Sequence, residues 1–80
     1  MNIAVYSLQN TLFSDTAEKL ICRTPQGQIT ILDHHLPMIS LLTRHSLEIV
    51  HPAGEATRIP IAGGFLEVQP ESKIVILAES

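Results

Sequence analysis

The chain has 80 residues, 45% of them apolar, and sets five Lys and Arg against eight Asp and Glu for a net charge of −3. A chain this short makes one domain spanning residues 1–80, burying only about 60% of its unfolded surface. With no Trp, one Tyr and two Phe the core must be aliphatic, and the shortage of stacking aromatics and basic residues argues against nucleic-acid and direct lipid partners. Cys22 is the single cysteine, so no internal disulfide is expected and a cytosolic setting suffices. Met1 to Val5 lacks the basic start of a secretion signal, and no window approaches the 18 or so consecutive apolar residues of a membrane span.

Residues 3–8, Ile-Ala-Val-Tyr-Ser-Leu, read as a first strand that stops at Gln9-Asn10. Residues 12–24 are ambiguous, because Ala17, Leu20 and Ile21 fall at helical spacing while Leu20, Cys22 and Thr24 fall at strand spacing. Strand is favoured, since Pro25 would end any helix after about two turns. Gln26-Gly27 is a turn, and Ile29 and Ile31 mark one face of the strand that follows. Asp33 to Pro37 is a polar connection, after which the apolar run 38–42 ends at Thr43-Arg44-His45. Leu47 and Ile49 share a face of the next strand, and His51-Pro52-Ala53-Gly54 supplies a turn. Residues 56–61 return as a strand that Pro60 confines to an edge or a bulge.

Gly63-Gly64 then removes two Cβ atoms where the backbone turns sharply or another strand approaches closely, and the pair leads into a strand that Pro70 ends. Glu71-Ser72 turns it into the run Lys73-Ile74-Val75-Ile76-Leu77-Ala78, which completes a hairpin. Short strands recurring at this spacing predict an all-β sandwich or barrel.

Little in this pattern carries chemistry. His34 and His35 are adjacent, so on a strand they would face opposite ways, and no acidic ligand or second cysteine stands at a matching interval. Cys22 reads as a small core residue. Gly63-Gly64 opens a strand instead of a helix, lacks the Lys of a phosphate-binding loop, and offers no helix N-terminus to a nucleotide. No catalytic residue, cofactor site or metal site is therefore expected. The polar loop from Pro25 to Pro37 suits a partner, as does a small aliphatic sandwich with one face left to be covered by another subunit.

The motif Gly63-Gly64-Phe65-Leu66-Glu67-Val68-Gln69-Pro70, followed by Ile76-Leu77-Ala78-Glu79, resembles the epsilon subunit of F-type ATP synthases in its N-terminal β-sandwich domain. Gln26-Gly27-Gln28-Ile29, Ile31-Leu32, His35-Leu36-Pro37-Met38-Ile39, Leu47-Glu48-Ile49 and Leu12-Phe13-Ser14 continue the likeness over essentially the whole chain. The resemblance implies a sandwich of two antiparallel sheets with about ten short strands. It implies a non-catalytic central-stalk subunit that grips the gamma subunit and rests on the polar loops of the c-ring, coupling proton-driven rotation to ATP synthesis. Its expected place is the cytoplasmic face of a bacterial inner membrane, or the organellar equivalent, held there through the complex.

By the same resemblance the c-ring-facing stretch is Gln26, Gly27, Gln28, Ile29, Thr30, Ile31 and Leu32, and the gamma-facing positions are Ser7, His35, Ser40 and His45. Gln28 stands where the family often has an acidic residue. His34 replaces the glycine of a Pro-Gly-His loop, which costs strain if that position keeps φ > 0. His45 also stands at a family glycine. The family's helical hairpin would begin beyond Ser80, so docking without self-inhibition and without nucleotide binding is expected of these residues. The alternative is a cupin-like metal- or ligand-binding β-barrel using His34, His35 and His51.

Overall fold

The computed structural model describes residues 1–79, and among these every regular element is a strand. In chain order they are β1 (Asn2–Tyr6), β2 (Thr11–Thr16), β3 (Lys19–Thr24), β4 (Gly27–Leu32), β5 (Met38–Leu42), β6 (His45–Val50), β7 (Ala56–Ile61), β8 (Gly63–Gln69) and β9 (Lys73–Glu79). They form a five-stranded sheet in the order β2-β1-β9-β8-β5 and a four-stranded sheet in the order β4-β3-β6-β7. The count is nine against the expected ten or so, and the ambiguous stretch 12–24 resolves into parts of two strands. They meet at Ala17-Glu18, where Ala17 stays hydrogen bonded to Met1 of one sheet and the Glu18 N–H donates to Val50 of the other.

Period-2 alternation fixes which residues enter the core. Ile3 and Val5 of β1, Leu66 and Val68 of β8, and Ile74 and Ile76 of β9 point inward from the larger sheet. They meet Leu20 and Cys22 of β3, Ile31 of β4, and Leu47 and Ile49 of β6. All are buried, and among the described residues the only aromatic packed against the cluster is the half-buried Phe13. Burial raises the Cys22 thiol to about 11, so it stays protonated and unreactive at neutral pH. β7, which contains Pro60, lies at a sheet edge, where the missing N–H breaks no ladder.

The first strand pairs with the last. β1 runs parallel to β9, from Asn2 opposite Lys73 to Tyr6 opposite Leu77, while every other ladder is antiparallel. The glycine pair belongs to β8. Gly64 adopts φ +152°, and a Cβ there would collide with the Leu77 carbonyl oxygen of the neighbouring strand and sit 3.2 Å from the Ala78 Cα. Gly63 is less constrained, with its nearest neighbour, the Leu42 carbonyl oxygen, at 3.4 Å. Gly64→Ala is therefore expected to destabilise the fold by about 1–3 kcal/mol through overpacking against backbone. Gly63→Ala should cost no more than roughly 1 kcal/mol by the same reasoning, and urea midpoints of the two variants measure the difference.

Candidate functional site

The sandwich has two distinct ends. One, the hairpin end, gathers the β1–β2, β3–β4, β5–β6 and β7–β8 connections, because the strands antiparallel to one another reverse there. The far end carries Met1, the Asp33 to Pro37 connection, residues 51–55 and the β8–β9 turn.

The seven residues implied to face a c-ring occupy the β3–β4 turn and all of β4, an edge strand of the four-stranded sheet. Thr24 shapes the turn: its hydroxyl accepts from the Gln26 N–H at 3.2 Å and donates to the Gly27 carbonyl at 3.1 Å. Alternation divides the seven. Gln26, Gln28, Thr30 and Leu32 are exposed, Gly27 and Ile29 are half-buried, and Ile31 is sealed in the core. The outward surface of this stretch is thus neutral and polar, ending in Leu32.

The four positions implied to face gamma do not form one cluster. Ser7 closes the β1–β2 turn, its hydroxyl accepting from the Asn10 N–H at 3.1 Å. His35 lies in the β4–β5 connection at the far end, its Nδ1 2.8 Å from the Leu36 carbonyl oxygen. Ser40 is half-buried on β5, and His45 opens β6 at the hairpin end. Three of them therefore follow the edge strand β5 from before its start to after its finish.

What that reading missed lies beside β5. On the outer face of the five-stranded sheet, Leu41 of β5, Phe65 of β8, Leu77 of β9 and Tyr6 of β1 are successive cross-strand partners. They make an apolar row about 14 Å long at ordinary strand spacing. Ile39, 74% exposed, adjoins Leu41 on the same face, and Leu41, Phe65 and Leu77 are each more than half exposed, at 52%, 53% and 55%. Val75 and Ala4, partners in the next row, extend the apolar surface. The outer face of the smaller sheet exposes one large apolar side chain, Leu32, also 55%. A sequence signal existed: Ile74-Val75-Ile76-Leu77-Ala78 is apolar on both parities, the pattern of a strand covered on both faces. Only one face of β9 is covered within the chain. Exposed apolar faces of this kind are characteristic of surfaces that bind another protein, a membrane or a ligand.

The histidines are dispersed differently from a ligand set. His34 and His35 sit in one connection, while His51 Nε2 lies 2.6 Å from Thr57 Oγ1 and its ring tilts against Phe13 at 5.8 Å. Among the described residues no group of three or more His, Cys, Asp or Glu is placed to hold a metal ion. The open edges β2, β5, β4 and β7 make this a sandwich and not the closed barrel of the alternative reading.

At the far end His34 keeps φ at +61° although it is not glycine, and its N–H donates to Ser72 Oγ at 3.0 Å. Ser72 and Glu71 form a turn whose φ angles are +56° and +65°. His34→Gly relieves the Cβ penalty but increases the freedom of the unfolded chain, so a net gain of up to about 1 kcal/mol is expected in chemical denaturation. Next to it the Met1 ammonium donates to the Ala17 carbonyl at 3.1 Å and pairs with Asp33 Oδ1 at 3.0 Å. The hydrogen bond from that ammonium, with a further one from Ser72, holds the Asp33 carboxyl below its ordinary 3.8. A depressed carboxyl adds stability above its unfolded value and loses it as pH falls through the folded one. Asp33→Asn should therefore lower the unfolding midpoint at neutral pH and flatten its decline below pH 3.8.

Comparison with known proteins follows this geometry closely. The family model described as "ATP synthase, Delta/Epsilon chain, beta-sandwich domain" matches residues 1–80. The ATP synthase epsilon chain of Exiguobacterium sp. is 34% identical over 80 residues, covering 100% of this chain and 58% of that relative. The epsilon chain of Mycobacterium tuberculosis is 37% identical over 81 residues, covering 100% of this chain and 66% of the relative. The chain thus spans less than two thirds of the length of these curated relatives. In solved structures the fold recurs in the Euglena gracilis mitochondrial ATP synthase assembly of OSCP, F1 and c-ring, at TM-score 0.92 and 19% identity, covering 98% of this chain and 49% of that one. It recurs in the central stalk and c-ring of the Tetrahymena thermophila mitochondrial enzyme, at TM-score 0.82 and 12% identity, covering 99% and 63%.

Proposed function

This chain belongs to the family of ATP synthase delta/epsilon β-sandwich domains, and we propose that it is a non-catalytic coupling part of the central stalk of a proton-translocating F-type ATP synthase. In this reading the apolar outer face of the five-stranded sheet docks on the gamma subunit, and the β3–β4 turn with the outward residues of β4 meets the polar loops of the c-ring. The complex would hold the domain at the cytoplasmic face of a bacterial inner membrane or its organellar equivalent. No bound nucleotide or cofactor has a role in this proposal.

The observation that carries it is the bare apolar row Leu41, Phe65, Leu77 and Tyr6 with Ile39 beside it, on a domain whose relatives are named as epsilon chains. Burial of such a row against another subunit drives association without any chemistry of its own. The body behind it suits the task mechanically. The row is built on four hydrogen-bonded strands over a close-packed aliphatic core, and a dense interior transmits strain instead of absorbing it. A soft coupling element would bend under load, and rotation of one partner would not reach the other.

Co-purification of the gamma subunit of the same organism with this chain tests the proposal. Phe65→Asp and Leu77→Asp point outward and leave the core intact, so unfolding midpoints should hold. Each is expected to weaken gamma binding by at least about tenfold, the effect of a buried aromatic or aliphatic anchor replaced by a charge. Undiminished retention of gamma by the folded double variant would overturn the assignment of this face.

A further inference from the structure

The chain is acidic overall. Glu18, Asp33, Glu55 and Glu71 lie at the far end together with Lys19, Lys73 and the Met1 ammonium, whereas the hairpin end carries Arg23 and Arg44, with Glu79 on the other sheet. Arg23 points outward from β3, and the residue before Arg44 is tied to it: the Thr43 N–H and hydroxyl both donate to the Arg23 carbonyl, at 2.9 and 3.3 Å. The two exposed guanidinium side chains are therefore carried on neighbouring backbone. Arg58, on the same outer face, is already engaged by Glu48 at 3.3 Å. Among the described residues the remaining ion pair is that of Met1 with Asp33, so neither Arg23 nor Arg44 has a carboxylate partner. Beside them, on the outer face of the four-stranded sheet, is a depression of about 360 Å³ lined by Ile21, Gln28, His45, Ser46, Glu48 and Arg58.

We propose that this corner, the hairpin end of the outer face of the four-stranded sheet, is a docking site for an acidic peptide segment of a partner protein, with Arg23 and Arg44 holding its carboxylates. Charge complementarity selects the occupant. A planar guanidinium donates two parallel hydrogen bonds to a carboxylate, and two such forks on adjacent connections fit side chains spaced along an extended peptide. Phosphate chains and anionic bilayers carry dense negative charge that meets both the Glu48 carboxylate in the depression and the net charge of −3. A short acidic peptide meets less of that repulsion and gains apolar contact from the half-buried Ile21. The site lies on the opposite side of the sandwich from the apolar row and can be filled while that row is covered; it shares Gln28 with the stretch proposed to meet the c-ring, so those two occupants compete. The inference does not depend on the gamma assignment.

The test uses the full chain, isotope-labelled and titrated at low salt with a synthetic oligo-glutamate peptide while backbone amide shifts are followed. Saturable shifts at Ile21, Arg23, Arg44 and Ser46 that weaken as salt is added are the expected result. Arg23→Gln and Arg44→Gln should each weaken binding roughly twofold to fivefold, as loss of one exposed charge contact does. The double charge reversal Arg23→Glu with Arg44→Glu should abolish it, while Lys73→Glu on the other sheet should leave it unchanged. All variants should keep the wild-type unfolding midpoint and gamma retention, which separates failure here from failure of the central-stalk reading. Absence of shifts at this corner, equal shifts with oligo-lysine, affinity indifferent to both arginines, or tighter binding to anionic phospholipid vesicles or duplex DNA than to oligo-glutamate would each overturn the proposal.

Discussion

The parallel pairing of β1 with β9 is the constraint on which the rest of the structure depends. It places the first and last strands side by side in the middle of the five-stranded sheet, with β2 on one flank and β8 and β5 on the other. Everything between is an excursion that must return. Ile3 and Val5 stand opposite Ile74 and Ile76, and all four are buried. The centre of the core therefore cannot close until residues some seventy positions apart have met. Ladders of such separation are costly in chain entropy before they are rewarded by burial. The same register also builds the exterior, because it sets Tyr6 beside Leu77 and so continues the apolar row from β5 and β8 onto β1.

That shared origin explains why the two outer faces differ. The inner residues of both sheets are interchangeable aliphatics whose job is volume. The outer residues answer to different surroundings. Along β9, Val75 and Leu77 alternate with buried Ile74 and Ile76, so between Lys73 and Glu79 at its two ends the strand has no polar side. Along β3, Lys19 and Arg23 alternate with buried Leu20 and Cys22 and keep the opposite face wet. The sandwich thus presents different chemistry on its two sides, one outer face largely apolar and the other polar and charged.

Much of the fold was legible in the residues. The turns at Gln26-Gly27 and Glu71-Ser72, the edge position of the strand with Pro60, and the aliphatic core with Cys22 inside it all follow from local chemistry. The role of Gly64 as a point of close strand approach was legible too, because only the absence of a Cβ lets the Leu77 carbonyl come so near. Other features depend on pairings between distant residues, which no local pattern encodes. The β1–β9 parallel ladder is one. The break at Ala17-Glu18, where the chain leaves one sheet for the other, is a second. The candidate site was harder still. Ile31, placed by resemblance in a partner-facing stretch, is core, since assigning a continuous run to a surface ignores that every second strand residue turns inward. The apolar row escaped notice because its members come from four strands and touch only through the register.

His34 shows how such a structure tolerates a locally unfavourable residue. Its φ of +61° lies where glycine is the natural choice, yet the backbone stays in place because its N–H is held by Ser72. Ser72 is in turn fixed by its own turn and by the Asn2 N–H bonded to its carbonyl at 2.9 Å. Asn2 begins β1 and pairs with Lys73, the first residue of β9. The strained loop is therefore fastened to the start of the central parallel ladder, and the energy that holds it comes from the burial of Ile3 and Ile74 one residue further along. A residue in an awkward backbone conformation at the surface is sustained by a buried pairing, Ile3 with Ile74. The shape of the connection leading into β5, and with it the edge bordering the apolar face, is thereby set from the core outward.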